Sequence, residues 1–200
     1  MINVEVINSI DRKDKLDEIY KFRFEVYIEE LSYLKAGYDD SNSYYSKQEY
    51  DIYDEYSRHI ILRNNKEIVA YARIIIDKGQ GLLILNKIGD QQFLNDSDKV
   101  EVSRMMVKKN HRYSRAIIIL MNEIYKNLVD IGSKYIFADT FQDSASYHIC
   151  KEMGFKELGV KYIDETYNLD VDSVVLFSTL SELKINYFLE MNRKEEISNG

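Results

Sequence analysis

The fold is decided by the stretch VEVSRMMVKKNHRYSR at residues 100–115 and by the apolar segment that follows it. Val100–Val107 is rich in β-branched and apolar residues, which predicts a buried strand. A helix is predicted from about Ser114 to Ile131, because its apolar residues recur with helical spacing and Gly132 is able to end it in a left-handed conformation. The segment is therefore a strand, a basic turn and a helix.

Further elements are predicted on both sides of this unit. Downstream they are a strand at 134–140, a short helix at 144–153 ended by Gly154, two strands at 156–162 and 174–179, and a tail helix at 183–191. Upstream they are a strand at 2–6, a helix at 11–31 and a long polar loop at 37–56. A hairpin of strands 59–63 and 67–76 joined at Asn64-Asn65 and a short strand at 82–85 follow. This order predicts an α+β fold with a single mixed central sheet flanked by helices.

Composition limits the class of protein. The 200 residues carry a net charge of −7, which disfavours general nucleic-acid binding, and no apolar run is long enough to span a membrane. We predict one domain, residues 1–182, with a C-terminal helix and tail at 183–200. A lone Cys150 and the lack of a visible signal peptide favour the cytoplasm. The three histidines lack metal-ligand spacing, so no metal site is predicted.

Four motifs follow one another along the first half of the chain. They are Arg23-Phe24-Glu25-Val26-Tyr27 with Tyr33, then Glu49-x-Asp51-x-x-Asp54, then Ala72-Arg73-Ile74, then Glu101-Val102-Ser103-Arg104. In order and spacing this set resembles the autoinducer-synthase branch of the GNAT superfamily, which contains acyl-homoserine-lactone synthases and N-acyl amino acid synthases. Tyr27 and Tyr33 stand where that branch has Phe and Trp.

The resemblance implies an N-acyltransferase with a GNAT fold, in which an amine attacks an acyl thioester of coenzyme A or of an acyl carrier protein's phosphopantetheine. It places Glu101, Ser103 and Arg104 at the catalytic centre, with Glu101 as the favoured base. The substrate-binding residues carried over by motif position are Arg23, Tyr27, Tyr33, Glu49, Asp51, Asp54 and Arg73.

The chemistry of amide formation agrees with a carboxylate at position 101. An amine is mostly protonated at neutral pH, so a base must remove a proton, and burial in an apolar strand would raise the pKa of Glu101 toward a useful value. Strict alternation puts Glu101 and Arg104 on opposite faces of the strand unless a bulge inserts an extra residue. The alternative interpretation is that these two residues form a structural salt bridge.

Two charged segments have functional interpretations. Residues 39–55 hold six carboxylates and one base, Lys47, which would attract a cationic acceptor such as an amino acid's ammonium or a sulfonium; a solvated face is the alternative. Residues 106–116 are predicted to bind the donor, although Ser114 replaces the first glycine of the usual GNAT phosphate loop. The basic cluster favours an acyl carrier protein without excluding coenzyme A, and a solubilising helix start is the alternative. The proposed donor-binding residues are Met106, Val107, Lys108, Arg112, Ser114, Arg115 and Ala116.

The position of the usual leaving-group acid is altered. Cys150 stands where acetyl-coenzyme-A GNATs have a tyrosine, and Tyr147 is a possible substitute one turn earlier. Two other functions therefore remain open: an acetyl-coenzyme-A-dependent N-acetyltransferase, and a non-catalytic GNAT-shaped binding module. The acceptor, the acyl chain length, the donor and the oligomeric state are not specified by the sequence. An apolar tunnel beside the Glu101 strand would favour acyl transfer.

Overall fold

A computed structural model describes residues 2–9, 15–33, 46–88, 98–165, 167 and 169–183. Residues 184–191 of the predicted tail helix and residues 37–45 of the predicted polar loop lie outside these ranges. The strands are β1 Ile2–Asn8, β2 Ser57–Asn64, β3 Glu67–Ile76, β4 Lys99–Val107, β5 Tyr135–Phe141, β6 Lys156–Tyr162 and β7 Ser173–Thr179. The α-helices are α1 Leu16–Phe24, α2 Leu83–Ile88, α3 Ala116–Ile131 and α4 Ala145–Glu152, and helix α1 continues as a π-helix over Glu25–Glu30.

The seven strands form one mixed sheet in the order β1-β2-β3-β4-β5-β7-β6. All neighbours are antiparallel except β4 and β5, which are parallel. Helices α3 and α4 cover one face of the sheet, where they pack against strand residues that include Ile74, Val100 and Ile136. Helices α1 and α2 cover the other, which we call the α1 face, in two apolar clusters. The predicted α+β class with a single mixed central sheet is confirmed.

Strands β4 and β5 separate after a short paired segment. Their register runs only from Lys99↔Tyr135 to Glu101↔Phe137. Against β3, the register of β4 shifts by one residue between the pairs Tyr71↔Met106 and Arg73↔Ser103. The extra residue lies at Arg104, whose φ is +54°. This is the bulge that Glu101 and Arg104 need in order to share a face, and it bends β4 away from β5.

The prediction of a strand at Leu82–Leu85 is wrong, because this segment begins helix α2. A short apolar run does not distinguish a buried strand from a buried helix. Other differences concern boundaries. The hairpin turn lies at Asn65-Lys66, with Asn65 left-handed at φ 57°, and the polar loop ends in a 3₁₀ helix at Ile52–Tyr56.

Candidate active site

A buried network of three arginines and three carboxylates lies on the α1 face. Arg23 donates from Nε to Glu49 and from Nη1 to Asp54, the latter at 2.5 Å. Arg73 also donates from Nη1 to Asp54, at 2.8 Å. Both arginines are fully buried, so each guanidinium needs these carboxylates to offset the cost of its desolvation. Asp54, shared between Arg23 and Arg73, is the centre of the network.

The third arginine joins the network to the bulge in β4. Arg104 donates from Nη2 to Glu49 at 3.0 Å and to Asp51 at 3.4 Å, and Arg73 donates from Nε to Ser103 Oγ at 3.0 Å. Burial alone would raise the pKa of Glu49, but Arg104 and Arg23 outweigh it and lower that pKa to about 2. Asp51 is held charged in the same way by Arg73 and Arg104.

The 3₁₀ helix Ile52–Tyr56 positions two of the carboxylates, because Asp51 caps its N-terminus and Asp54 lies in its first turn. The Asp51 side chain accepts from the Tyr53 N–H at 2.9 Å, and the Asp54 side chain accepts from the Asp51 N–H at 2.8 Å. This reciprocal capping fixes both carboxylates toward the arginines. Of the predicted cation-attracting acidic segment, Glu49, Asp51 and Asp54 are therefore already neutralised by arginines. The alternative interpretation of this segment, a solvent-exposed charged face, is wrong for Glu49 and Asp54, because both are buried.

A cavity of about 450 Å³ opens where β4 and β5 diverge. It passes through the sheet, because its lining comes from both faces. Its apolar end lies under helices α3 and α4, and its polar end lies on the α1 face. The apolar lining includes Ile117, Met121, Ile124, Ala138, Ile149, Cys150 and Met153, and the polar end includes Tyr27, Tyr33, Ser103, Arg104, Asp139 and Tyr167. The tunnel that would favour acyl transfer is present.

Glu101 lies at the point where β4 and β5 stop pairing, immediately before the first cavity residue of β4, Val102. It is fully buried, its Oε2 accepts from the Ile84 N–H at 2.9 Å, and its Oε1 has no hydrogen-bond partner among the described residues. Burial, aided by the charge of Asp139, raises the pKa of Glu101 to about 7. The alternative of a Glu101–Arg104 salt bridge is wrong, since Arg104 binds Glu49 and Asp51 instead.

Aromatic rings surround the polar end of the cavity. Tyr33 lies 6.2 Å from Tyr27 and 5.4 Å from Phe141, between ring centroids, and Phe141 lies 5.0 Å from Tyr167. The Arg104 guanidinium lies 5.6 Å from the centre of the Tyr27 ring. Tyr27 and Tyr33 were predicted from the motifs, whereas Phe141, Tyr167 and Asp139 were not, because they belong to no motif and reach the site only through the fold.

Comparison with known proteins assigns the family. Residues 22–122, which contain all four motifs, match the family model described as an acetyltransferase (GNAT) domain. The chain belongs to the GNAT acyltransferase family. No curated protein sequence matches the chain significantly.

Solved structures with the fold of this GNAT acyltransferase include members of the branch that the motifs resemble. The CoA-dependent acyl-homoserine lactone synthase MesI has a TM-score of 0.67 at 14% identity, with 94% of each chain covered. BjaI, a synthase of the same description solved with SAM and isopentyl-CoA, has a TM-score of 0.66 at 13% identity, covering 96% of this chain and 89% of BjaI. FeeM, an N-acyl amino acid synthase from uncultured soil microbes, has a TM-score of 0.63 at 13% identity, covering 94% and 98%. The predicted resemblance is thus confirmed at the level of the fold.

Two basic residues of the predicted donor-binding segment of this GNAT acyltransferase are paired with acids among the described residues. Lys108 binds Glu25 and Glu67, both at 2.7 Å, and Arg112 binds Glu30 at 2.7 Å. Arg112 also lines the cavity, as do Met106 and Val107. The remaining predicted donor-binding residues do not: Ser114 and Arg115 are exposed, and Ala116 is buried at the start of α3. Two of the cations expected to meet an acidic partner are therefore already compensated by acids.

Cys150 is buried at the apolar end of the cavity, and burial raises the pKa of its thiol to about 12. A protonated thiol is a poor nucleophile, which favours a packing role. The Tyr147 hydroxyl donates to Glu157. Among the described residues, no three His, Cys, Asp or Glu side chains group as metal ligands, and no helix there has the length and apolarity needed to cross a membrane.

A neutral histidine lies beside the network. His59 contacts the Ser9 hydroxyl through Nε2 and the Tyr71 hydroxyl through Nδ1, each at 2.7 Å. Burial lowers its pKa from 6.5 to about 4, against the opposing charge of Asp54. The unfolded chain therefore takes up a proton at His59 below pH 6.5, whereas the folded protein does so only near pH 4, and stability is lost as the pH falls through this interval.

We expect Glu101 to compensate for the loss of stability that His59 causes at acidic pH. Its raised pKa makes the folded protein bind a proton below pH 7, so it adds stability as the pH falls. Between pH 6.5 and pH 5, protonation of His59 in the unfolded chain lowers the free energy of unfolding by about 2 kcal/mol, and protonation of Glu101 in the folded protein raises it by about the same amount. Urea unfolding should show almost constant stability for the wild type, and a fall of about 2 kcal/mol for Glu101→Gln. Equal pH dependence in the two proteins would contradict these assignments.

Proposed function

We propose that this GNAT acyltransferase transfers an acyl group from a phosphopantetheine thioester, carried by coenzyme A or an acyl carrier protein, to the amino group of a small amine or amino acid. The observation that carries the proposal is the cavity through the sheet between β4 and β5, which has an apolar end for an acyl chain and a polar end for an amine. An enzyme that joins an apolar donor to a charged acceptor needs both environments at one reaction point.

The position of Glu101 supports a role as the base. Glu101 is the residue at which β4 and β5 stop pairing, one of its carboxylate oxygens lacks a partner among the described residues, and its pKa of about 7 is suited to proton transfer near neutral pH. Because Glu101 is fully buried, we propose that the proton reaches it through a water molecule. Beyond Glu101 the edge of β4 is not paired with β5. Its N–H groups on that edge are therefore available to the oxyanion that forms during attack.

Ser103 and Arg104 have positioning roles in this proposal. Ser103 accepts from Arg73, and Arg104 ties the bulge to Glu49 and Asp51. The network thereby holds β4 in the bent form that opens the slot. Arg23, Arg73 and the three carboxylates stabilise this geometry, while Tyr27 and Tyr33 line the end where the acceptor would enter.

The shape of the cavity favours this function over the two alternatives. An acetyl group needs little apolar volume, whereas here the lining continues through α3 to Ile124 and Leu128 and through α4 to Ile149. A non-catalytic module would require neither an open slot nor a carboxylate at its apex.

The test is release of free thiol from a series of thioesters. The purified protein is incubated with acetyl-, hexanoyl- and decanoyl-coenzyme A, or with the same acyl groups on acyl carrier protein, in a mixture of the twenty amino acids and ethanolamine. We expect amine-dependent thiol release and an acylated product by mass spectrometry, faster with hexanoyl or decanoyl than with acetyl. Preference for acetyl would favour the acetyltransferase, and absence of product from every donor would contradict acyl transfer.

A further inference from the structure

We propose that Asp139 binds the ammonium group of the acceptor at the polar end of the cavity, against the rings of Tyr33, Phe141 and Tyr167. This inference rests on the proposed function and adds to it: the acceptor enters as a cationic primary amine, and a second carboxylate, outside the four motifs, receives it.

Among the residues that the structure describes, Asp139 is the carboxylate that lines the cavity. It is partly exposed and lines the cavity, whereas Glu101 is fully buried and does not. Phe137 pairs with Glu101 across the sheet, and Asp139, two residues further along β5, points to the same face. Two residues of strand rise about 6.6 Å and paired strands lie about 4.8 Å apart, so the Cα atoms of Glu101 and Asp139 are roughly 8 Å apart or more, and we infer that water connects an amine at Asp139 to Glu101.

Asp139 is not neutralised in the way that the network carboxylates are. Its Oδ2 accepts from the Tyr162 hydroxyl at 2.7 Å, and no ion pair joins it to an arginine or lysine of the described residues. Glu49, Asp51 and Asp54 each bind two arginines. An uncompensated carboxylate at the polar end of a largely apolar cavity attracts a cation.

The aromatic rings give the same preference. Phe141 contacts Tyr33 and Tyr167 edge to face, with centroids 5.4 Å and 5.0 Å away, and all three residues line the cavity beside Asp139. The faces of aromatic rings attract cations, most strongly where water is partly excluded. A carboxylate and three rings at one end of a cavity are suited to an ammonium group, and Arg104 at the same end is already paired with Glu49 and Asp51.

This placement gives each carboxylate a separate role. Asp139 holds the ammonium, and one proton of the ammonium passes through water to Glu101. The nitrogen lone pair then forms a C–N bond with the thioester carbonyl carbon. The tetrahedral intermediate collapses with cleavage of the C–S bond, and the departing thiolate takes up the second proton lost by nitrogen, which yields an amide and a free thiol.

The test measures binding of butylammonium chloride by calorimetry, which needs neither a thioester nor turnover. We expect the wild type to bind it and Asp139→Asn to bind it about 10-fold more weakly, because a charge-assisted contact is lost. Asp143→Asn is the matched control, since Asp143 is an exposed aspartate in the turn after β5 and its left-handed φ of 57° suits asparagine. Circular dichroism checks that each variant is folded.

The outcomes separate this inference from the proposed function. No binding to the wild type, or equal binding to wild type and Asp139→Asn, would overturn the role of Asp139. Binding that depends on Asp139 in a protein that turns over no thioester would support the site and refute acyl transfer. Where turnover is present, Asp139→Asn should raise KM for the amine about 10-fold with a smaller effect on kcat, which distinguishes binding from proton transfer.

Discussion

Replacing Glu101 by glutamine should lower kcat for amide formation by about 10²–10⁴-fold, the usual contribution of a positioned base. Glutamine keeps the shape of the side chain and an oxygen that can accept from the Ile84 N–H, so helix α2 should stay in place. The lost property is the ability to take the amine's proton. The measurement is initial rate of thiol release at saturating donor and amine.

The pH profile identifies the group that titrates. Because Glu101 must be ionised to accept a proton and its pKa is about 7, kcat for the wild type should rise with pH up to about 7 and then level off. Glu152→Gln, an exposed glutamate on α4, is the matched control and should retain both rate and profile. A Glu101→Gln protein with wild-type rate, or with the same dependence below pH 7, would rule out Glu101 as the base.

Replacing Asp54 by asparagine should destabilise the fold by about 3–5 kcal/mol, as expected for removing one partner of a buried ion pair. Asp54 is 1% exposed and contacts both Arg23 and Arg73, whose guanidinium groups would lose a shared counter-charge away from water. The network would also change from neutral to one net positive charge. Urea unfolding gives the free-energy difference directly.

An exposed ion pair provides the control for that experiment. Glu18 binds Arg63 at 2.6 Å, but its side chain is 52% exposed. Because solvent-exposed pairs contribute little, Glu18→Gln should cost less than about 1 kcal/mol. Equal costs for Glu18→Gln and Asp54→Asn would mean that the network is not a stabilising unit, and that the bend in β4 does not depend on it.

Local patterns in the sequence were sufficient for most of the fold. The β2–β3 hairpin, β4, α3 and β5 follow from apolar periodicity, turn residues and Gly132, all of which act over a few neighbouring residues. The strand predicted at Leu82–Leu85 failed because the same apolar run is compatible with either structure. Its helical form is stabilised from a distance, by the Glu101 carboxylate that accepts from the Ile84 N–H.

The site residues that belong to sequence motifs could be predicted, whereas those that only the fold brings to the site could not. Arg23, Arg73, Arg104 and their carboxylates were identified together, but their mutual pairing was not, since charge patterns do not specify which partners meet. Asp139 gave no signal, because one acidic residue in a strand is ordinary until β4 separates from β5. The position of the cavity depends on the same separation, which residue spacing does not reveal.

The central claim is that the slot between β4 and β5 admits the thioester, and the most direct measurement is a crystal structure with S-decyl coenzyme A, a thioether that cannot be cleaved. The account predicts the sulfur beside Glu101, where the two strands part, with the decyl chain running between α3 and α4 toward Met121 and Ile149. A decyl chain outside the cavity, or a sulfur separated from Glu101 by the intact sheet, would contradict it.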